Sequence, residues 1–199
     1  MKIFRQSALE LKELRNVIVT GLLVAVSMVI ESFTIELGFA KINFAFLAIA
    51  AIGMLYGPTV AFFAGGLCDI VGYLVHPDGG FLPLYVLIGA AQGLIYGLIA
   101  YTKADFPTPK FMRKSLEENV MFRLIFARIV DVVVINIVCN TAANFHYGFL
   151  KDRTLGAAII ARVAKNLLEL PIDCVLIAAV LTAVLVAYQR VFGKHSVTA

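Results

Sequence analysis

The chain has no tryptophan, three histidines and three cysteines in 199 residues, and only 15% of its residues are charged. Against that scarcity stand 61% hydrophobic residues and a mean hydropathy of +0.91. A soluble domain of this length needs far more polar surface, so the composition points to an integral membrane protein. A net charge of +4 is too small, on so apolar a chain, to argue for a nucleic-acid partner. His76, His146 and His195 fall in expected loops or the tail, and there is no HExxH, no GxS elbow and no acidic metal-binding run. Hydrolytic and metal chemistry therefore have no constellation: no catalytic residue, metal ligand or cofactor is expected, and the chain does not read as an enzyme. Cys68, Cys139 and Cys174 lie in apolar runs without CxxC spacing and read as packing residues.

Long apolar runs are what the chain has in abundance. A bilayer core takes about 20 apolar helical residues, and candidate spans lie at 17–32, 42–56, 58–76, 82–101, 119–147 and 155–190. The second ends at "YGP", a tight reversal into the third. The fifth and sixth are long enough to tilt or project beyond the bilayer. Six spans leave both termini on one side, together with Lys2, Arg5, Lys12, Arg15, Lys103, Lys110, Arg113, Lys114, Arg190 and Lys194. The opposite loops hold Lys41, Lys151 and Arg153, so the positive-inside rule puts both termini in the cytoplasm. The expected fold is all-α: a compact bundle of six transmembrane helices in one domain over 1–199, with a cytoplasmic N-terminal segment at 1–15. That segment, "MKIFRQSALELKELRN" with its final Asn16, lacks the layout of a cleaved signal peptide.

Polar groups inside the last two spans stand out. Arg162, Lys165, Asn166, Glu169 and Asp173 fall within an arc of about 100° on a helix. Asn136, Asn140 and Asn144 form an i, i+4, i+8 stripe on the span before it. With the two spans antiparallel, Arg162 and Asn140 both lie roughly 10 Å from the outer end, and Asn166 and Asn136 roughly 16 Å. Arg128 and Asp173 match at roughly 27 Å. Such groups must face protein or water, because lipid exposure costs several kcal/mol each. Asp131 is about 180° from Asn140 on a straight helix and joins the stripe only if the helix bends. The deep, charge-balanced Arg128, Asp131, Glu169 and Asp173 read as interhelical pairing. The outer Asn136, Asn140, Arg162 and Asn166 have amides and a cation but no nearby acid, which suits an anionic or amide-bearing ligand. Above them, "FTIELGFAKINFAF" and "HPDGGFLPLY" supply aromatics and a Gly79–Gly80 turn, as interfacial anchors or as a lid.

The stretches "KINFAFLAIAAIGMLYGP", "DIVGYLVHPDGGFLP", "GLIYGL", "VCNT" followed by "YG", and "RVAKNLLELPID", in this order and at these spacings, resemble the folate-specific substrate-binding subunit (S component) of energy-coupling factor (ECF) vitamin transporters. The resemblance implies a six-helix protein of the bacterial plasma membrane that binds a vitamin near its outer face. It would bind no ATP itself, but dock on a membrane scaffold subunit driven by two ABC-type ATPases and topple to release ligand inside. Gly21 and Ala25 fill the family's small-xxx-small motif for the scaffold, with Gly where Ala is usual. Asn140 and Asn166 would meet the pterin, Arg162 and Lys41 the ligand's carboxylates, and Phe33, Phe81 and Tyr73 would supply apolar or stacking walls. Asn136 lies between the amides, and Gln92 would reach in from the facing helix. Glu169 and "AANFH" depart from the family's apolar pattern, which leaves another vitamin (pantothenate or riboflavin) open as ligand. From other classes, a channel would show an open polar stripe, and a proton-coupled secondary transporter could use Asp131, Glu169 and Asp173.

Overall fold

The computed structural model describes residues 2–33, 35–36, 41–75, 80–104, 116–149 and 154–193, with the backbone alone at 35–36, 41–42 and 116–118. The charged N-terminal stretch forms helix α1 (Lys2–Glu10), ahead of α2 (Leu14–Ser32). A two-stranded antiparallel ribbon follows, β1 (Ile35–Glu36) with β2 (Lys41–Ile42), paired Ile35 to Ile42 and Glu36 to Lys41. Then come α3 (Phe46–Val75), α4 (Pro83–Ala100), α5 (Leu116–Asp131), a π-helical stretch (Val132–Cys139) and α6 (Asn140–His146). The last run is α7 (Leu155–Leu176), a second π stretch (Ile177–Leu181) and α8 (Thr182–Phe192). Among the described residues, the ribbon is the one departure from the all-α expectation.

Among the described residues, four runs are long and apolar enough to cross a bilayer: Leu14–Ser32, Phe46–Val75, Pro83–Ala100 and Leu155–Phe192. α3 is two arms rather than one rod. Gly57 breaks it with φ 82 and ψ −171, a conformation natural to glycine, and Pro58 starts the next arm where its missing N–H costs nothing. Phe46 and Ile49 of the first arm line the same cavity as Gly65, Cys68 and Asp69 of the second, so the arms run back on one another. With the continuous run from α5 to α6, the helices among the described residues form six long segments.

Both arms of α3 are the core. Ala50, Ile52, Met54, Tyr56 and Ala61 are fully enclosed. Their closeness to α4 depends on Gly89, Gly93 and Gly97, spaced one turn apart along one face. A Cβ at Gly93 would overlap the Ala61 carbonyl, and one at Gly97 would run into the Pro58 backbone. Small residues let the backbones approach where lipid offers no hydrophobic drive for association.

α1 is tied to the Gly57 break. The buried Ser7 Oγ accepts from Thr59 N (3.0 Å) and Val60 N (3.3 Å), and donates to Tyr56 O at 2.6 Å. These are the orphan amides of a helix start and a terminal carbonyl of the arm before it, so Ser7 caps the break from across the chain. Glu10 adds a second tie, accepting from Lys103 Nζ at 2.6 Å and Tyr101 OH at 3.1 Å. Nearby, the buried Arg123 donates to Ile99 O and Tyr101 O (both 2.6 Å), closing the C-terminus of α4.

Candidate functional site

A cavity of about 230 Å³ opens among α2, α3, α4, α5 and α7, in the half of the bundle that carries the ribbon. Its walls include Ser27 and Glu31 from α2, Cys68 and Asp69 from α3, Gln92 from α4, Arg128 and Asn136 from the α5 run, and Lys165 and Glu169 from α7. Asn43 and Phe46 close it beside the ribbon. Asn43 is fixed by its own turn, its Oδ1 accepting from Ala45 N at 2.6 Å.

The amides anticipated on the last two long segments meet. Asn136 Nδ2 donates to Asn166 Oδ1 at 3.2 Å, Asn166 Nδ2 to Arg162 O at 2.8 Å, and Arg162 Nη1 to Asn136 O at 3.1 Å. Asn140 Nδ2 points at Asn136 Oδ1 across a long 3.5 Å. Of the candidate residues, Asn136 and Gln92 line the cavity, while Asn140, Asn166 and Arg162 stand next to Asn136. Asn144 joins a neighbouring group, accepting from Tyr85 OH, and Tyr85 stacks on Tyr147 with centroids 6.0 Å apart.

The deeper charges form one network. Arg128 donates to Asp173 Oδ2 through Nε (3.0 Å) and Nη2 (2.8 Å), and to Asp131 Oδ2 through Nη1 (2.8 Å). Its guanidinium also lies 3.8 Å from the Phe46 ring centroid, a cation–π contact. Gln92 Nε2 donates to Asp131 at 3.1 Å, and Lys165 pairs with Glu169 at 3.3 Å. The π stretch explains how Asp131 belongs with this group. Hydrogen bonding from i to i+5 returns the chain to the same side after roughly five residues rather than four. That brings Asp131 round to Gln92, whose side chain shares the cavity wall with Asn136, which a straight α-helix would not do.

Two expectations fare differently. The outer amides were expected to have no acid nearby, yet Glu31, Asp69 and Glu169 share the cavity with Asn136. Two of these acids come from α2 and α3, far away in sequence, so reading the last two spans alone misses them. Among the expected aromatic walls, Tyr73 and Phe81 meet edge to face at 5.3 Å, but Phe33 is 76% exposed. The Lys41 side chain, Phe39, His76, Gly79, Lys110, Arg113, Lys114, Lys151, Arg153, Lys194 and His195 lie outside the described residues. Gly21 and Ala25 face outward from α2, and a Cβ at Gly21 would meet nothing within 4 Å.

Known proteins resemble this architecture over most of its length. The family described as "ECF transporter, substrate-specific component" matches residues 15–186. The chain is 23% identical over 168 residues to the folate transporter FolT of Clostridium novyi, covering 84% of this chain and 88% of that one. It is 27% identical over 160 residues to the folate transporter FolT of Leuconostoc mesenteroides, covering 80% of each. The crystal structure of a FolT bound with folic acid superposes with a TM-score of 0.64 at 27% identity, covering 82% of this chain and 90% of that one.

Proposed function

Because the chain belongs to the substrate-specific components of ECF transporters, multi-pass membrane subunits of transport systems rather than enzymes, we propose that it captures folate for import. The observation that carries this reading is the polar cavity in the ribbon half of a fold similar to folic-acid-bound FolT. At about 230 Å³ it is smaller than the roughly 300–1,000 Å³ of a complete small-molecule site. It therefore suits the ring end of a tailed ligand, with the tail reaching towards the ribbon and the loops around it.

In this reading the ribbon end is the outer face and both termini are cytoplasmic. Asn136, Asn140, Asn166 and Gln92 complement the donors and acceptors of the pterin, and Phe81 and Tyr73 flank it. Arg162, with no carboxylate partner among the described residues, and Lys41 would meet the glutamate tail. The scaffold subunit docks on α2 at Gly21 and Ala25, whose outward face supports such contact, and two ATPases bound to that scaffold supply the ATP-driven step. No ATP site is assigned to this chain.

Calorimetry on the detergent-purified chain tests the reading, with folate, riboflavin, pantothenate and biotin compared. Tight binding of folate alone is the expected result. Tight binding of another vitamin in its place would keep the architecture and overturn the substrate.

A further inference from the structure

Resting on the folate reading, a further role falls to a cavity residue outside the amides and cations named above. Asp69 sits on α3, six residues (about 9 Å) before its ribbon end at Val75, and lines the cavity. The other charges fully described on that wall are paired: Arg128 with Asp131 and Asp173, and Lys165 with Glu169. Asp69 alone among these has no hydrogen-bond or ion-pair partner among the described residues. A half-buried, unpartnered carboxylate is costly in a membrane-embedded bundle. Its persistence is explained if something entering the cavity completes it.

The surroundings say what that something is. The unpartnered Asp69 carboxylate itself repels an anionic group, and a second acid, Glu31, approaches α3 at Gly72, one turn beyond it. The ligand's carboxylates must then point away, and a donor-bearing edge must face in. A 2-amino-4-oxo-pyrimidine edge presents an exocyclic amino group beside a ring N–H, two parallel donors that match the two oxygens of one carboxylate. Opposite, the Asn136 and Asn166 amides hold one another, which leaves the carboxylate as the stronger acceptor. Gly65 and Gly89, also in the cavity wall, pack backbone to backbone, which holds α4 close beside Asp69.

We propose that Asp69 is the specificity-determining residue of the cavity, its carboxylate accepting the amino and ring N–H donors of a pterin that enters ring first with its acidic tail outward. The test compares folate with its 2-desamino analogue on the wild-type chain and on Asp69→Asn and Asp69→Ala, by calorimetric competition, together with thermal midpoints without ligand. The wild type is expected to prefer folate by about ten- to hundredfold, and both variants to lose that preference by weakening folate alone. Ligand-free midpoints should be equal to or above wild type, because an orphaned charge has been removed. A preference retained in the variants, equal losses for both ligands, or variants that are less stable or unfolded without ligand would each overturn the proposal. A wild type that binds folate while its variants bind it equally well sinks the role of Asp69 only. A wild type that binds no folate sinks the folate reading and this inference with it.

Discussion

Asn136, on the π stretch after α5, donates to Asn166 on α7 across 3.2 Å, bridging the last two long segments at the edge of the cavity. Because Asn136 also faces the cavity, the folate reading gives its amide two roles, packing and ligand contact. Asn136→Leu is expected to weaken folate binding about tenfold, the cost of one lost polar contact plus an unsatisfied partner. Asn140→Ala, whose link to Asn136 is long, should affect stability less than binding. Calorimetric affinities and thermal midpoints measured on the same preparations separate the two effects.

Arg128 holds Asp131 and Asp173 at once, with 5% of its side chain exposed. Asp173→Ala leaves a buried cation half-compensated and should destabilise the bundle by about 3–5 kcal/mol. Arg128→Lys should not substitute, since an ammonium cannot reproduce a fork that reaches two carboxylates. A lowered unfolding midpoint in detergent for both variants is the expected result; unchanged midpoints would contradict the network's structural role.

Removing the Ser7 hydroxyl strands the Thr59 and Val60 amides and the Tyr56 carbonyl. Ser7→Ala should cost about 0.5–2 kcal/mol, the range for a lost helix cap. Limited proteolysis should find α1 released while the cavity still binds ligand. Ser7→Thr, which keeps the oxygen, should behave better than Ser7→Ala.

Two glycines should respond in opposite ways. Gly93→Ala forces a methyl against the Ala61 carbonyl and should prevent α3 and α4 from closing, seen as aggregation or loss of the folded fraction. Gly21→Leu meets nothing inside the molecule and should leave folding and ligand binding intact. If α2 carries the scaffold contact, that same variant should fail in folate uptake by cells holding the whole transporter. Normal uptake would move the docking face elsewhere.

The long segments were legible because a bilayer demands about 20 apolar residues and few sequences supply them by accident. "YGP" gave away the reversal at Gly57, since glycine and proline each forbid an uninterrupted helix there in their own way. Depth alone paired Arg128 with Asp173 and Asn136 with Asn166, because 1.5 Å per residue is a firm ruler in a straight helix. Other features left no such trace. Nothing in "VVVINIVC" distinguishes a π stretch from an α one, so the position of Asp131 could not be read off. The register of Ser7 against Thr59 depends on tertiary closeness. Asp69 did leave a signal: a single acid in "AFFAGGLCDIVGYLV" with no base within a turn, which in a membrane run asks for a partner.

The order of synthesis gives the Ser7 cap a further meaning. Ser7 leaves the ribosome 49 residues ahead of Tyr56 and 52 ahead of Thr59. Helix α1 thus waits for a turn that does not yet exist. Both arms of α3 must be threaded and reversed before the hydroxyl finds its amides. Helix α1 therefore locks only after the hairpin behind it is complete, acting as a clasp on the finished hairpin rather than a seed for it.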